Sequence, residues 1–279
     1  MGRLFVVSTP IGNLEDTTRR AERVLSEAAH VLAEDTRRTG RLLEHLGVRA
    51  DLLSLHAHNE ASRRERVTAW LDEGEDVALV TDAGTPLVSD PGARIVQAAL
   101  EAGHEVIPVP GPSAVLAALV ASGLPAERFA FLGFAPRKGP ERRRLLERVS
   151  DSEETVVLFE SPERIADLLA ELEPGCGAER RVAVARELTK LHETVFRGTL
   201  AEAARYYQEH PARGEITLVV EGAPVREAPD RVDVEAARAL ARALLDDGTS
   251  PSRAAREVAR RLGLPRNVAY ELIQEVRDA

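Results

Sequence analysis

The sequence predicts an α/β protein of two α/β domains in series, the first with a mostly parallel five-stranded sheet, followed by a small helical C-terminal segment. Three observations predict it. Short apolar runs alternate with amphipathic stretches of helical spacing through the first half of the chain. The same alternation resumes beyond a basic stretch at 129–144. After residue 225 only helical spacing remains. Boundaries follow at 1–115, 116–225 and 226–279.

In order, 4–10 (LFVVSTP) reads as a strand closed by a proline, and 17–28 as a helix capped by Thr17 or Asp16. Residues 30–36 are a second strand, and 38–47 a helix ended by Gly47. Strands at 51–59, 76–84 and 105–112 alternate with helices at 62–74 and 92–103. Residues 113–124 are nearly all apolar, so the spacing predicts a buried helix there. Short helices between buried strands are the pattern of a parallel sheet covered on both faces. The basic stretch 129–144 reads as a linker. Beyond it come a strand at 154–162, a helix at 163–175, a strand at 180–189, a helix at 199–210 and a strand at 214–224. The tail forms helices at 234–248, 249–263 (Ser250 as cap, Pro251 in the first turn) and 265–279.

Composition narrows the function. The 279 residues carry a net charge of −9, so bulk attraction to a polyanion is excluded and any nucleic-acid contact must be local. A single cysteine excludes a disulfide framework or a cysteine-rich zinc site. No apolar run reaches membrane-spanning length, and the short N-terminal run reads as a strand, so a cytoplasmic location is the default. His56 and His58 share a strand face, but no further ligands are identifiable and no metal site is expected.

The strand ends carry the chemistry. TPIGN (9–13), AEDTR (33–37), the long turn TDAGTPLVSDPG (81–92) and PGPSA (110–114) are rigid, polar and rich in Gly and Pro. FESPER (159–164), ARELTK (185–190) and RGEI (213–216) are similar junctions in the second half. Ligands of open parallel sheets bind beyond the carboxyl ends of the strands. So many fixed loops there imply a sizeable ligand held largely by main chain. Neither G-x-G-x-x-G after the first strand nor G-x-x-x-x-G-K-[ST] occurs, which removes support for dinucleotide and P-loop sites.

These motifs, with FLGFAPRK (131–138) and GEITLVVEG (214–222), occur in order from about Leu4 to Gly222 and resemble those of the small-subunit ribosomal RNA methyltransferases of the tetrapyrrole methylase superfamily. The resemblance implies two α/β domains of tetrapyrrole-methylase type with S-adenosylmethionine folded between them, a homodimer, and 2′-O-methylation of a cytidine in the decoding region of 16S rRNA within the 30S subunit. It implies that Pro10 and Ile11 floor the donor site and that Phe159, Leu188 and Gly214, Glu215 and Ile216 close it. The residues agree with this where Gly84, Thr85 and Val88 offer main chain and an apolar slot, and where Ser113 and Ala114 open a helix whose free N–H groups suit a carboxylate.

A ribose hydroxyl is a poor nucleophile and benefits from a base or a cation. Candidates on the loops are Glu34, Asp35, Asp82, Arg186, Glu187 and above all Lys190, one of two lysines in an arginine-rich chain. For RNA, Arg37 and the run containing Arg137, Lys138, Arg142, Arg143 and Arg144 are candidates, with the arginines of the tail, where 249–273 reads as a helix-turn-helix. Two alternatives stay open: another methylase of the superfamily acting on a tetrapyrrole or a protein, and a non-catalytic ribosome-assembly factor. Tetrapyrrole relatives typically carry GDP where this chain has GTP at Gly84–Pro86, and they lack the basic run.

Overall fold

The computed structural model describes residues 1–56, 59–224, 234–262, 264 and 266–278, which form two compact units, Met1–Gly222 and Ala223–Ala279. The first contains ten strands and eight helices among its described residues. Strands β1 (Arg3–Val7), β2 (His30–Ala33), β3 (Asp51–Ser54), β4 (Val77–Leu79) and β5 (Glu105–Val109) form a sheet in the order β3-β2-β4-β1-β5. Every neighbouring pair is parallel. The crossovers are α1 (Arg19–Glu27), α2 (Thr36–Leu46), α3 (Glu60–Asp72) and α4 (Ala93–Glu101).

Strand periodicity builds two core layers. Phe5, Val7, Val31, Ala33, Ala78 and Val80 face Ala21, Val24 and Leu25 of α1 and Leu43 of α2. Leu4, Leu32, Val77 and Leu79 face Val67 and Leu71 of α3 and Ile95 and Ala99 of α4. Near-continuous apolar strands follow directly from burial on both faces. The cap of α1 is Thr18, which accepts from the Ala21 N–H at 3.1 Å, one residue past the expected Thr17.

Helix α5 (Ala114–Ser122) leaves the first sheet and packs on the second. Only one of its faces is buried: Val115, Ala118 and Leu119 meet Val157, Ala183, Ala185 and Val219, whereas Leu116 and Val120 are 52% and 76% exposed. The uniformly apolar sequence therefore overstated its burial.

The stretch expected as a linker is structured. It holds β6 (Phe129–Phe134) and the start of α6 (Pro140–Asp151). Then come β7 (Thr155–Glu160), α7 (Ile165–Cys176), β8 (Arg181–Arg186), β9 (Thr194–Thr199), α8 (Leu200–Glu209) and β10 (Ile216–Val220). The sheet order is β6-β7-β10-β8-β9, with β6–β7 parallel and the other pairs antiparallel. Both unforeseen strands, β6 and β9, lie at edges and are half exposed, so neither shows a clean buried period. Helices α6, α7 and α8 cover the face opposite α5. A capping box at Thr199 and Glu202 starts α8.

The second unit holds α9 (Val234–Asp246), α10 (Pro251–Leu262) and α11 (Arg266–Asp278) around a core of Ala237, Ala241, Ala255, Val258, Leu272 and Ile273. No helix among the described residues is long and apolar enough to cross a membrane.

Candidate functional site

Parallel strands place their following loops along one edge of the first sheet, and those loops are tied together. The N–H of Gly84 donates to Thr9 O at 3.0 Å and that of Thr9 to Gly84 O at 2.9 Å. The Ser8 and Thr85 hydroxyls lie 3.1 Å apart, and Thr85 donates to Pro112 O at 3.4 Å. At Gly111 a Cβ would sit 2.9 Å from Ser8 Cβ, so the PGP turn can approach β1 only with glycine there.

The turn after β4 is held in a strained shape. Gly84 has φ +83°, and Leu87 and Ser89, at φ +72° and +75°, take left-handed conformations that cost a side-chain-bearing residue roughly 1–2 kcal/mol. Its far end is fixed by buried Glu60, whose Oε1 accepts from Gly92 N at 3.2 Å and Arg94 N at 2.7 Å.

Carboxylates collect beneath this turn. Thr81 donates its hydroxyl to Glu34 Oε2 at 2.8 Å. Asp82 accepts the Asp35 N–H at 2.9 Å and lies 3.6 Å from the Arg38 guanidinium. Asp35 itself caps α2: it accepts from Arg37 N at 2.8 Å and from the Arg37 guanidinium at 2.7 and 3.1 Å. Arg37 thereby holds the Asp35 carboxyl far below the usual range. Asp90 goes the other way: burial raises it to about 6, assisted by Glu34 and Asp82 and opposed by a hydrogen bond from Thr81.

On the second sheet, the β8–β9 turn is also strained, with Glu187 and Thr189 at φ +53° and +66°. Glu187 Oε1 accepts from Lys190 Nζ at 2.8 Å and from Glu215 N at 2.9 Å, and Lys190 lies 3.1 Å from Glu215 Oε2. Burial alone would lower the Lys190 pKa, but its hydrogen bonds to Glu187 and Glu215 outweigh that and raise it. The hydrogen bond from Lys190 lowers the Glu187 carboxyl in turn. A Cβ on Gly214, at φ +83°, would fall 2.3 Å from Glu187 Cδ. The turn also meets the first sheet's loops: Asn13 N donates to Thr189 Oγ1 at 3.1 Å, and a Cβ on Gly12 would collide with the Lys190 stem.

Between the two sets of loops lies a cleft of about 420 Å³, in the range of small-molecule sites. Ile11, Asp82, Gly84, Thr85, Val88, Ser113 and Ala114 line it from the first sheet's side, and Phe159, Gly214, Glu215 and Ile216 from the second's. Ser113 also caps α5, accepting from Leu116 N at 3.5 Å. Pro10 is buried and Leu188 packs with the core under α5, so neither is on the wall. Asp35, Glu187 and Lys190 also stand off it, the last two reaching it through Glu215.

Sequence reasoning missed several wall residues, among them Asp90, Phe134 and Glu160. Asp90 sits in the long turn whose punctuation was visible, but its burial was not. Phe134 is 59% exposed at the end of β6, inside the supposed linker, and packs at a tilt against Phe159 with centroids 5.3 Å apart. Glu160 is fully buried; it accepts the Ser161 N–H at 2.7 Å and pairs with Arg164, with Arg142 at 3.8 Å. A glutamate closing a strand just before Ser-Pro was its only signal.

Of the basic candidates, Arg37, Arg137, Lys138, Arg143 and Arg144 are exposed. Arg142 departs from the expectation of an RNA-facing side chain. It is buried, donates to Glu171 at 2.8 and 3.2 Å and to Pro136 O at 2.9 Å, and so fastens α6 to α7. In the tail Arg253 and Arg261 are exposed, while the side chains of Arg260 and Arg266 lie outside the described residues. His56 is exposed beyond β3, its N–H donating to Asn59 Oδ1 at 2.8 Å, and His58 lies outside the described residues.

Residues 3–204 match the family of Tetrapyrrole (Corrin/Porphyrin) Methylases, and residues 230–277 match the RsmI C-terminal HTH domain. Proteins called ribosomal RNA small subunit methyltransferase I are similar over most of the chain. The one from Synechocystis is 44% identical, covering 99% of both chains, and the one from Xylella fastidiosa is 45% identical, covering 96% of this chain and 98% of its own. Among solved structures, uroporphyrin-III-C-methyltransferase from Thermus thermophilus has a TM-score of 0.58 at 24% identity, covering 79% of this chain and 94% of its own. The methyltransferase CobJ has 0.62 at 20%, covering 82% and 98%. At such identities the two structures speak for the fold.

Proposed function

The chain belongs to the tetrapyrrole methylases, and within them to the ribosomal RNA small subunit methyltransferase I family, and from that premise we propose that it transfers a methyl group from S-adenosylmethionine to the 2′-hydroxyl of a cytidine in the decoding region of 16S rRNA. The observation that carries the reading is the cleft: an apolar slot between two sets of rigid loops, with main-chain groups on one wall and carboxylates on another. Its donor set suits that ligand. Ile11, Val88, Phe159 and Ile216 provide apolar walls for a purine, and the free N–H groups at the start of α5 suit a carboxylate. Asp82 and Glu34 suit cationic amino and sulfonium groups.

S-adenosylmethionine supplies a methyl already activated on sulfur. The residues therefore need chiefly to align donor and acceptor and to keep water out. The strained turns at Leu87–Ser89 and Glu187–Thr189 serve that purpose, since their shape is set before any ligand arrives. Lys190, kept protonated by Glu187 and Glu215, acts as a fixed cation at the cleft margin in this reading, not as a proton acceptor. Arg137, Lys138, Arg143 and Arg144 are the exposed cations that would hold RNA phosphates, and the helical C-terminal unit is a second RNA contact. The exposed apolar face of α5 supports a homodimer, and a 30S substrate would put the reaction in the cytoplasm.

The test is transfer of labelled methyl from S-adenosylmethionine to 30S subunits from cells lacking this protein, beside free 16S rRNA and porphyrinoid precursors. Label on a 2′-oxygen of 30S rRNA is expected. Label on a porphyrinoid would reassign the chain within its family, and donor binding without transfer to any substrate would favour an assembly factor.

A further inference from the structure

We propose that Asp90 is the catalytic proton acceptor: its carboxylate takes the proton from the ribose hydroxyl as that oxygen attacks the donor methyl. The proposal rests on the 2′-O-methyltransferase reading and deepens it. In the step, the C–O bond forms as the S–CH₃ bond breaks, the sulfonium becomes a neutral thioether, and the hydroxyl proton passes to Asp90 and then to water.

Asp90 is distinguished by its bonds. It lines the cleft beside Val88 and Ser89. The other carboxylates of the wall are engaged. Asp82 holds the Asp35 N–H and faces Arg38, Glu160 is clamped by arginines, and Glu215 faces Lys190. Glu34 and Asp90 both face the Thr81 hydroxyl, whose single proton can serve only one of them at a time. Asp90 has no ion pair and no main-chain donor among the described residues; only the Thr81 hydroxyl, shared with Glu34, approaches it, so its remaining lone pairs are open to accept.

Its position is fixed from both sides. Ser89 before it is held at φ +75°. Two residues after it, Gly92 at φ +121° packs so closely on Leu79 that a Cβ would lie 2.7 Å from Cδ2, and its N–H is anchored on Glu60. A base held by such a turn loses little freedom on meeting its substrate.

Among the charged groups around it, Glu34 and Asp82 are those that raise its pKa. Glu34 and Asp82 stand on the adjoining strand ends, Arg38 is spent on Asp82, Glu60 and Arg94 flank the same turn, and Glu160 and Glu215 face the cleft from the second sheet. Burial first, with Glu34 and Asp82 adding to it against the hydrogen bond from Thr81, brings Asp90 to about 6, basic enough to accept a proton near neutrality and ionised there. The candidates read from sequence fit less well. Asp35 is committed to its cap, Glu187 to Lys190, and Lys190 carries its proton already.

The test compares the full-length protein with Asp90→Asn and Asp90→Glu in single-turnover methyl transfer to unmethylated 30S subunits from pH 5 to 9, with donor affinity measured by calorimetry. Asp90→Asn should keep the donor Kd within about threefold and lose on the order of 100-fold or more in rate, the range of general-base catalysis. The wild-type rate should rise through an inflection near pH 6 that Asp90→Asn lacks and Asp90→Glu displaces. Equal rates in wild type and Asp90→Asn, or the same inflection in all three proteins, would overturn the proposal. An Asp90→Asn protein that no longer binds donor leaves the decision to the inflection of Asp90→Glu. A wild type that binds donor yet labels no 30S rRNA would defeat the underlying reading instead, and the proposal with it.

Discussion

Lys190 shows how a residue legible in sequence can change its role once its neighbours are known. Its isolation among arginines drew attention to it, but two carboxylates within 3.1 Å keep it charged. A structural cation tolerates arginine better than a proton acceptor would. Lys190→Arg should therefore retain several-fold more single-turnover activity than Lys190→Ala, and equal loss in both would return Lys190 to the list of bases. Asp90 bears on stability as well. Its folded pKa, about 6, exceeds the ordinary 3.8, so between those values the folded state binds more protons than the unfolded state. Stability falls as pH rises across that window and stays reduced above it. Discounted because the group is only about half buried, the effect is on the order of 1 kcal/mol. Asp90→Asn should thus be the more stable protein at pH 7.5, with an advantage over wild type that shrinks towards pH 4, measured by urea midpoints. An advantage that grew on acidification would contradict this.

Among the elements, α5 separates packing from surface most clearly. Leu119 is 3% exposed against the second sheet and Val120 is 76% exposed. Leu119→Ala should cost roughly 2–4 kcal/mol through lost contacts and a cavity, and Val120→Ser less than about 0.5 kcal/mol in the monomer. Similar losses from both, by denaturant midpoint, would mean the helix is buried all round, as its composition suggests. Among the elements that sequence periodicity found, the central strands β1, β2 and β4 and helices such as α1 and α7 carry a buried face, while the edge strands β3 and β5 were found through their apolar runs and the turns that bound them. Those it missed have mixed environments. In β6 an apolar half-exposed edge runs into Arg137 and Lys138, and β9 follows the ARELTK turn so closely that the two merge. Arg142 failed for a related reason. Three consecutive arginines look equivalent in sequence, yet the helix turns the first inward to Glu171 and the next two outward.

For the molecule as a whole, the cleft was legible one loop at a time but not as a cavity. Gly and Pro at strand ends marked the loops, whereas Phe134, Asp90 and Glu160 reach the wall through packing between elements far apart in sequence. Whole-molecule charge points the same way, since a net −9 conceals the exposed run Arg137, Lys138, Arg143 and Arg144. Replacing all four with alanine should lower kcat/KM for 30S subunits and flatten its logarithmic salt dependence by about 3, while donor affinity is unchanged. An unaltered salt slope would place the RNA elsewhere. The cleft itself is tested most directly by calorimetric titration of the protein with S-adenosylhomocysteine, in parallel with Ala114→Trp, which fills the cleft from the start of α5. Saturable one-to-one binding to the wild type, absent in the variant, is the result predicted here; no heat with the wild type, or equal binding by the variant, would contradict it.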